Sequence, residues 1–253
     1  EVAAMIEGVL RHCTEMSIDK QYVDTHGQSE VAFAFCNILG FNLMPRLKNI
    51  SSKKLYVGDL EDRDELENIQ PLLKGPINWE LIIQQYDEII KYATALRQRT
   101  ADPESILRRF TKNNGTHPTY KALSELGRVY KTIFLCHYLE NESVRREIHD
   151  GLNVVENWNS ANSFIFYGKG GEVATNRLKD QELSVLSLHL LQSCLVYINT
   201  LMIQQVASSP KWKGRFTDED LRALTPLLLA HINPYGIFEL DMEERLPIDK
   251  QVA

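Results

Sequence analysis

Apolar residues at positions 2, 5, 6, 9 and 10 of "EVAAMIEGVLRHCTEM" recur at the spacing of one helix face, so the chain is expected to open with a helix. "KQYVDT" then reads as a short strand. "SEVAFAFCNILG" reads as a helix, with Ser29 placed to cap its start and Gly40 to stop it. "FNLMPRLKNI" predicts a strand that Pro45 confines to an edge or interrupts, and "KKLYVGD" a further short strand. From Ile77 the period changes. "NWELIIQQYDEIIKYATALRQR", "DPESILRRF", "HPTYKALSELGRVYKTIFLCHYLEN" and "ESVRREIHDGLNVVENWNSAN" are all helical, with Pro103 and Pro118 suited to first helical turns. A glycine-rich link, "YGKGGE" (167–172), precedes a long helix from about Asn176 to Ala207. "TDEDLRALTPLLLAHI" then carries Thr217 as a cap before an acidic first turn. Strands are thus expected only in the first 58 residues. The fold class is mainly α with a small α/β part, and that part is short of strands for a free-standing sheet.

Composition narrows the picture. The 253 residues are 43% hydrophobic and 25% charged, the balance of a soluble globular protein with ample core. No basic segment followed by an apolar run marks a secretory signal. The stretch Ser184 to Ile203 is long enough to span a bilayer. It carries His189, Gln192, Ser193 and Asn199, and reads as a buried helix of a soluble, cytoplasmic protein. Cys13, Cys36, Cys136 and Cys194 lack metal-type spacing and are expected as reduced core residues. A net charge of −6 argues against a protein that coats nucleic acid, yet basic residues cluster at 45–54, 96–99, 108–112 and 210–215. Each cluster alone is a solvated face; four of them in an acidic chain raise the question of a phosphate-lined surface.

The candidate chemistry centres on Asp24. A carboxylate at the end of a buried strand costs free energy unless a metal, a hydrogen-bond network or a helix N-terminus pairs with it. Asp24 and His26, taken alone, fit a capping or turn pair as well as metal ligands, and Glu156 alone fits a solvated helix face. One constellation is that of a metallophosphatase: Asp24, His26 and Gly27 are followed by "LYVGDLEDRD" with Gly58, Asp59, Asp62 and Arg63. Asp64 stands where that pattern closes on glycine, and no G-N-H-E follows, which leaves it a distant alternative.

A second pattern covers almost the whole chain, from about Met5 to Leu246. "YVDTHGQSEVAFAFCNILGFNLMPRLKNI", "GLNVVENWNSAN", "GGEVATNR", "DQE", "YINTLM" and "HINPYGIFELDM" follow one another in the order found in the replicative TnpA-type transposases of the Tn-three family, which this sequence resembles. The resemblance implies an RNase H-like core in which two Asp and one Glu hold two Mg²⁺. The second Asp is that of D-T-H-G, here Asp24. The Glu is that of L-N-x-x-E, here Glu156 after Leu152 and Asn153, with Glu172 and Glu182 as weaker rivals. Carboxylate oxygens suit Mg²⁺. The family's first Asp lies on an opening strand well upstream; Asp19 stands in the wrong element, so this chain is expected to be a fragment, inactive alone. The implied organisation is a partial RNase H-like core at 1–58, a helical insertion at 59–150, the Glu156 helix and a long helix at 151–208, and a helical tail at 209–253. The implied function is Mg²⁺-dependent strand cleavage and 3′-OH transfer at transposon ends. The partners are terminal-repeat and target DNA and a second copy of the protein, in a bacterial cytoplasm with no membrane. DNA contacts are assigned to His26, Arg46, Lys48, Arg108, Arg109, Lys211 and Lys213. A non-catalytic DNA-binding or assembly module is the alternative.

Overall fold

A computed structural model of the chain describes residues 2–12, 17–59, 61–110, 115–165, 173, 175–233, 236–237 and 239–244, with the backbone alone at 26, 62–65 and 222. It is mostly helical with a few short strands. Two compact units divide the chain at Leu152/Asn153.

In the first unit, helix α1 (Val2–Arg11) precedes strand β1 (Lys20–Val23). One 3₁₀ turn (Thr25–Gly27) leads into α2 (Glu30–Leu39), which is followed by strand β2 (Asn42–Pro45). Ser29 caps α2 by accepting from the Ala32 N–H at 3.1 Å. Gly40, at φ 94°, ends it in the left-handed region that glycine enters without cost. Parallel strands need a crossover connection, and α2 is that crossover: β1 and β2 pair in parallel with Lys20 opposite Asn42 and Val23 opposite Pro45. Pro45 has no N–H, so the ladder is carried past it by the Arg46 N–H, which donates to the Val23 carbonyl at 2.9 Å.

Seven of the ten α2 residues are buried, Ala32, Ala34, Phe35 and Cys36 fully. A helix apolar on every side sits at the centre of a core. Helices α3 (Trp79–Arg97) and α5 (Pro118–Glu140) pack against it. At Gly127 the backbones come so close that a Cβ would lie 1.8 Å from the Glu30 carbonyl oxygen. Phe33, one turn further along α2, meets Phe134, two turns further along α5, with ring centroids 5.6 Å apart. The short α4 (Pro103–Arg109) packs on α1, and α6 (Glu142–Ile165) begins in this unit.

Strands are not confined to the first 58 residues: β3 (Leu55–Val57) pairs in parallel with β4 (Leu73–Pro76). The sequence "LKGP" has no strand propensity, and pairing with β3 imposes its conformation. Cys36 is buried and free, but Cys136 and Cys194 are exposed on helix faces; Cys13 lies outside the described residues.

The second unit contains the end of α6, α7 (Leu178–Ser208) and α8 (Asp218–Ala223). The glycine-rich link 167–172 lies outside the described residues. Of α7, expected as a buried helix, only Leu195 and Asn199 are buried; Leu183, Leu186, Leu190 and Tyr197 are each at least 60% exposed. Its apolar residues run all round, while its own unit supplies few elements to cover them. It is the one described helix long and apolar enough to cross a membrane. Buried Asn199 donates to the carbonyls of Pro226 (2.6 Å) and Leu228 (2.9 Å), tying the segment after α8 to α7. Thr217 and Asp220 form a capping box on α8. The helix stops at Ala223, short of expectation, because Pro226 disfavours helical geometry in the residue before it.

Candidate active site

β1 ends by delivering Asp24 in an extended conformation (φ −75°, ψ 178°) as the cap of the 3₁₀ turn. The Asp24 carboxylate is 41% exposed, open to a ligand. Thr25 Oγ1 donates to its Oδ1 at 3.2 Å, and Arg46 Nη2 stands 3.4 Å from the same oxygen. A charge-assisted pair closes to about 2.7–2.9 Å when fully engaged, so Arg46 attends Asp24 without consuming it. Several groups hold the carboxyl below the usual range: first the Thr25 backbone N–H, then its hydroxyl, with Lys48 and Arg46 adding their charges. Asp24 is thus ionised, the form a hard cation requires.

The basic residues are placed there by the β1–α2–β2 unit. Arg46 and Lys48 follow β2 directly, which runs parallel to β1 and ends beside it. The Arg46 Nε is buried and makes no hydrogen bond. Lys53 reaches the same turn through Gln28: its Nζ donates to Gln28 Oε1 at 2.9 Å, and Gln28 Nε2 donates to the Thr25 carbonyl at 2.7 Å.

Side chains alternate along a strand, so Lys20, Tyr22 and, in continuation, Asp24 share one face. α6 lies on that face. Glu147 Oε1 accepts from Lys20 Nζ at 2.5 Å and from the Tyr22 hydroxyl at 2.6 Å. One turn along α6, Gly151 faces the Tyr22 ring, where a Cβ would sit 2.7 Å from ring atoms. Burial first, and then Glu147, push the Tyr22 hydroxyl up to about 12, so it remains a donor. The hydrogen bond from Lys20 first, and then that from Tyr22, hold Glu147 below the ordinary carboxylate range. A cleft of about 320 Å³ opens beside this group, lined among others by Lys20, Asn37, Asn42, His137 and Glu147.

The remaining assigned residues are distributed as follows. Glu156 is exposed on α6, in the second unit, and Glu182 is exposed on the first turns of α7; Glu172 lies outside the described residues. His26 is in the 3₁₀ turn after Asp24, its side chain outside the described set. Arg108 is held by Glu104 at 2.6 Å within α4, and Arg109 follows it. Lys211 lies over the Trp212 ring at 5.8 Å, in the turn that also holds Lys213. Asp24, Arg46 and Lys48 are therefore brought together in one place. Among the described residues, no group of three or more His, Cys, Asp or Glu is gathered to hold a metal. Asp59, which the phosphatase pattern would set beside Asp24, follows β3 in the other sheet. Glu147 and Gly151 carry no sequence signal: a Glu and a Gly on a helix are ordinary, and their strand partners lie more than 120 residues away.

Comparison with known proteins bears on the whole chain. The sequence model of the Tn3 transposase DDE domain matches residues 1–238. The transposase of transposon Tn1546 from Enterococcus faecium is 30% identical over 240 residues, 95% of this chain and 24% of that protein. The transposase of Tn21 from Escherichia coli is 29% identical over 235 residues (92% and 23%). That of Tn501 from Pseudomonas aeruginosa is 29% identical over 243 residues (96% and 24%). The chain spans about a quarter of the length of the curated relatives it matches. A match this long leaves the metallophosphatase alternative without support, and the chain belongs to the Tn3 transposase family, within its DDE domain.

Proposed function

We propose that this chain is the later part of the catalytic region of a replicative DNA transposase, with a partial RNase H-like core of β1, α2 and β2. The helices after residue 59 form an insertion that returns to the core with α6. The observation that carries this reading is the β1–α2–β2 unit with an ionised, half-exposed Asp24 at the carboxyl end of its first strand. Ligands of parallel α/β sheets gather at that end. A second support is the laying of α6 along the face of β1 that Asp24 shares.

In this reading Asp24 and Glu156 hold the metal ions together with an Asp upstream. Asp24 fits that role by its chemistry, as an ionised oxygen donor oriented by Thr25. Glu156 fits by its exposure on α6 and as the Glu of the L-N-x-x-E pattern. Bound Mg²⁺ supplies activation of water, and then of the freed 3′-OH, for in-line displacement at phosphorus. Arg46 and Lys48 draw the phosphate toward Asp24 and offset the negative charge gathered there. His26, Arg108, Arg109, Lys211 and Lys213 contribute further backbone contacts. The protein acts in the bacterial cytoplasm, on terminal-repeat and target DNA, as a homodimer or larger self-assembly.

Asp24→Ala and Glu156→Ala in the full-length transposase test the reading. Strand cleavage falls at least a thousandfold in each, as for residues that act as one unit, while binding to transposon ends stays near the wild-type level. Glu156→Ala cleaving at a near wild-type rate would move the assignment to Glu172 or Glu182.

A further inference from the structure

Lys74, Arg128 and Lys131 lie outside the basic clusters of the sequence, yet the fold gathers them around one ring. Tyr56, the middle residue of β3, faces away from its buried neighbours Leu55 and Val57. Lys74, its register partner on β4, places Nζ 6.0 Å from the ring centroid. α5 lies against β3, and Thr132 Oγ1 accepts from the Tyr56 N–H at 3.1 Å. The Arg128 guanidinium comes to 5.0 Å from the same centroid, with Lys131 one turn further along α5. Lys53, in the lead-in to β3, adds its charge beside Lys131.

This group is not balanced from within. Glu30 Oε2 stands 3.7 Å from Arg128 Nε, and Glu125 pairs with Arg128 Nη1. The Arg128 Nε is buried and makes no hydrogen bond. Among the described residues, none hydrogen-bonds to Lys131 or closes an ion pair with it. Burial first, and then the charges of Lys53, Arg128 and Lys74, hold the Lys131 ammonium below the ordinary lysine value despite Glu30. Like charges held this close are relieved by an incoming anion. The cations come from three places in the chain and Lys74 is exposed, a layout that suits a polyanion crossing them. Lys53 joins this face to the Asp24 turn: Gln28 takes its Nζ and donates in turn to the Thr25 carbonyl.

We propose that this face binds the DNA backbone, Lys74, Arg128 and Lys131 taking phosphates beyond those that Arg46 and Lys48 draw toward Asp24. This rests on the reading of the chain as part of a transposase that holds DNA at Asp24, and it lies wholly within the first unit.

The test uses the full-length transposase with a transposon-end duplex and an unrelated duplex of equal length. Binding is measured in EDTA, so the outcome does not depend on which carboxylates hold metal. Lys74→Gln, Lys131→Gln and the double variant are compared with Lys91→Gln, which removes a cation on α3 paired with Glu88. Each of the first two is expected to reduce the slope of log affinity on log salt by about 0.9, and the double variant by about twice that. The loss is the same on both duplexes, because phosphate contacts carry no sequence information. Lys91→Gln keeps the wild-type slope. A lysine whose pKa is lowered by folding costs stability while it is charged, so Lys131→Gln melts no lower than wild type. Wild-type slopes in Lys74→Gln, Lys131→Gln and the double variant would overturn the proposal. An equal loss in Lys91→Gln would also overturn it, by reducing the effect to net charge. So would melting temperatures that fall with affinity in both variants, which would give these cations a structural role. A wild-type protein that binds neither duplex would instead remove the transposase reading, and the proposal with it.

Discussion

Asp24 keeps its charge at the end of a strand because its neighbours favour the ionised form and solvent still reaches it. The Thr25 backbone and hydroxyl point donors at it, the Arg46 and Lys48 charges stand near, and its carboxylate stays 41% exposed. Glu147 is held in its ionised form for a different reason, by two donors on one oxygen. A carboxyl whose pKa is lowered by folding stabilises the fold above its ordinary value of 4.5 and loses that contribution as pH falls through the folded value. The groups facing Glu147 are Lys20 and Tyr22 from β1, with Tyr130 and His137 across the cleft. Unfolding of wild type and Glu147→Gln in urea should therefore differ by a constant amount above pH 4.5, and the difference should shrink below it. Its size is under about 1 kcal/mol, since both partners are more than a third exposed. A difference that grows on acidification would contradict the ion pair.

At the scale of elements, the contact between α2 and α5 organises the first unit, and Gly127 is where it leaves no room for a side chain. A Cβ there would overlap the Glu30 carbonyl, which is backbone and has no rotamer to give. Gly127→Ala should force the helices apart and cost about 1–3 kcal/mol, the range for overpacking. Thermal unfolding would read this as a fall of several degrees; an unchanged melting temperature would mean that the helices are not this close. β1, α2 and β2 were legible because each carries a local signal: alternation ending at Asp24, Ser29 and Gly40 as caps, and Pro45 at the strand end. β4 was not, since "LKGP" has no preference for a strand and depends wholly on β3. Within the candidate site, Asp24, Arg46 and Lys48 stood out through one continuous motif. Glu147 and Gly151 gain their meaning only from a partner strand distant in sequence, which no local pattern encodes. α7 misled for a related reason, because its composition says that it needs covering without saying what covers it.

For the whole molecule, a net charge of −6 coexists with a local concentration of cations around Asp24: Arg46 and Lys48 directly, and Lys53 through Gln28. Binding of duplex DNA should accordingly weaken steeply with salt. Arg46→Ala and Lys48→Ala should each reduce the slope of log affinity on log salt by about 1, the change expected for one lost phosphate contact. An unchanged slope in both would place the DNA elsewhere. The family assignment covers residues 1–238, while the relatives are about four times longer than the chain; the proposal is that this segment contributes Asp24 and Glu156 to one metal site of a larger protein. The most direct measurement of that claim is cleavage of transposon-end DNA in Mg²⁺ by the full-length protein, its two single variants Asp24→Ala and Glu156→Ala, and the double variant. Carboxylates that hold the same metals fail together, so the double variant is predicted to be no slower than the slower single one. Losses that multiply in the double variant, or a single variant that cleaves within about tenfold of wild type, would contradict a shared metal site.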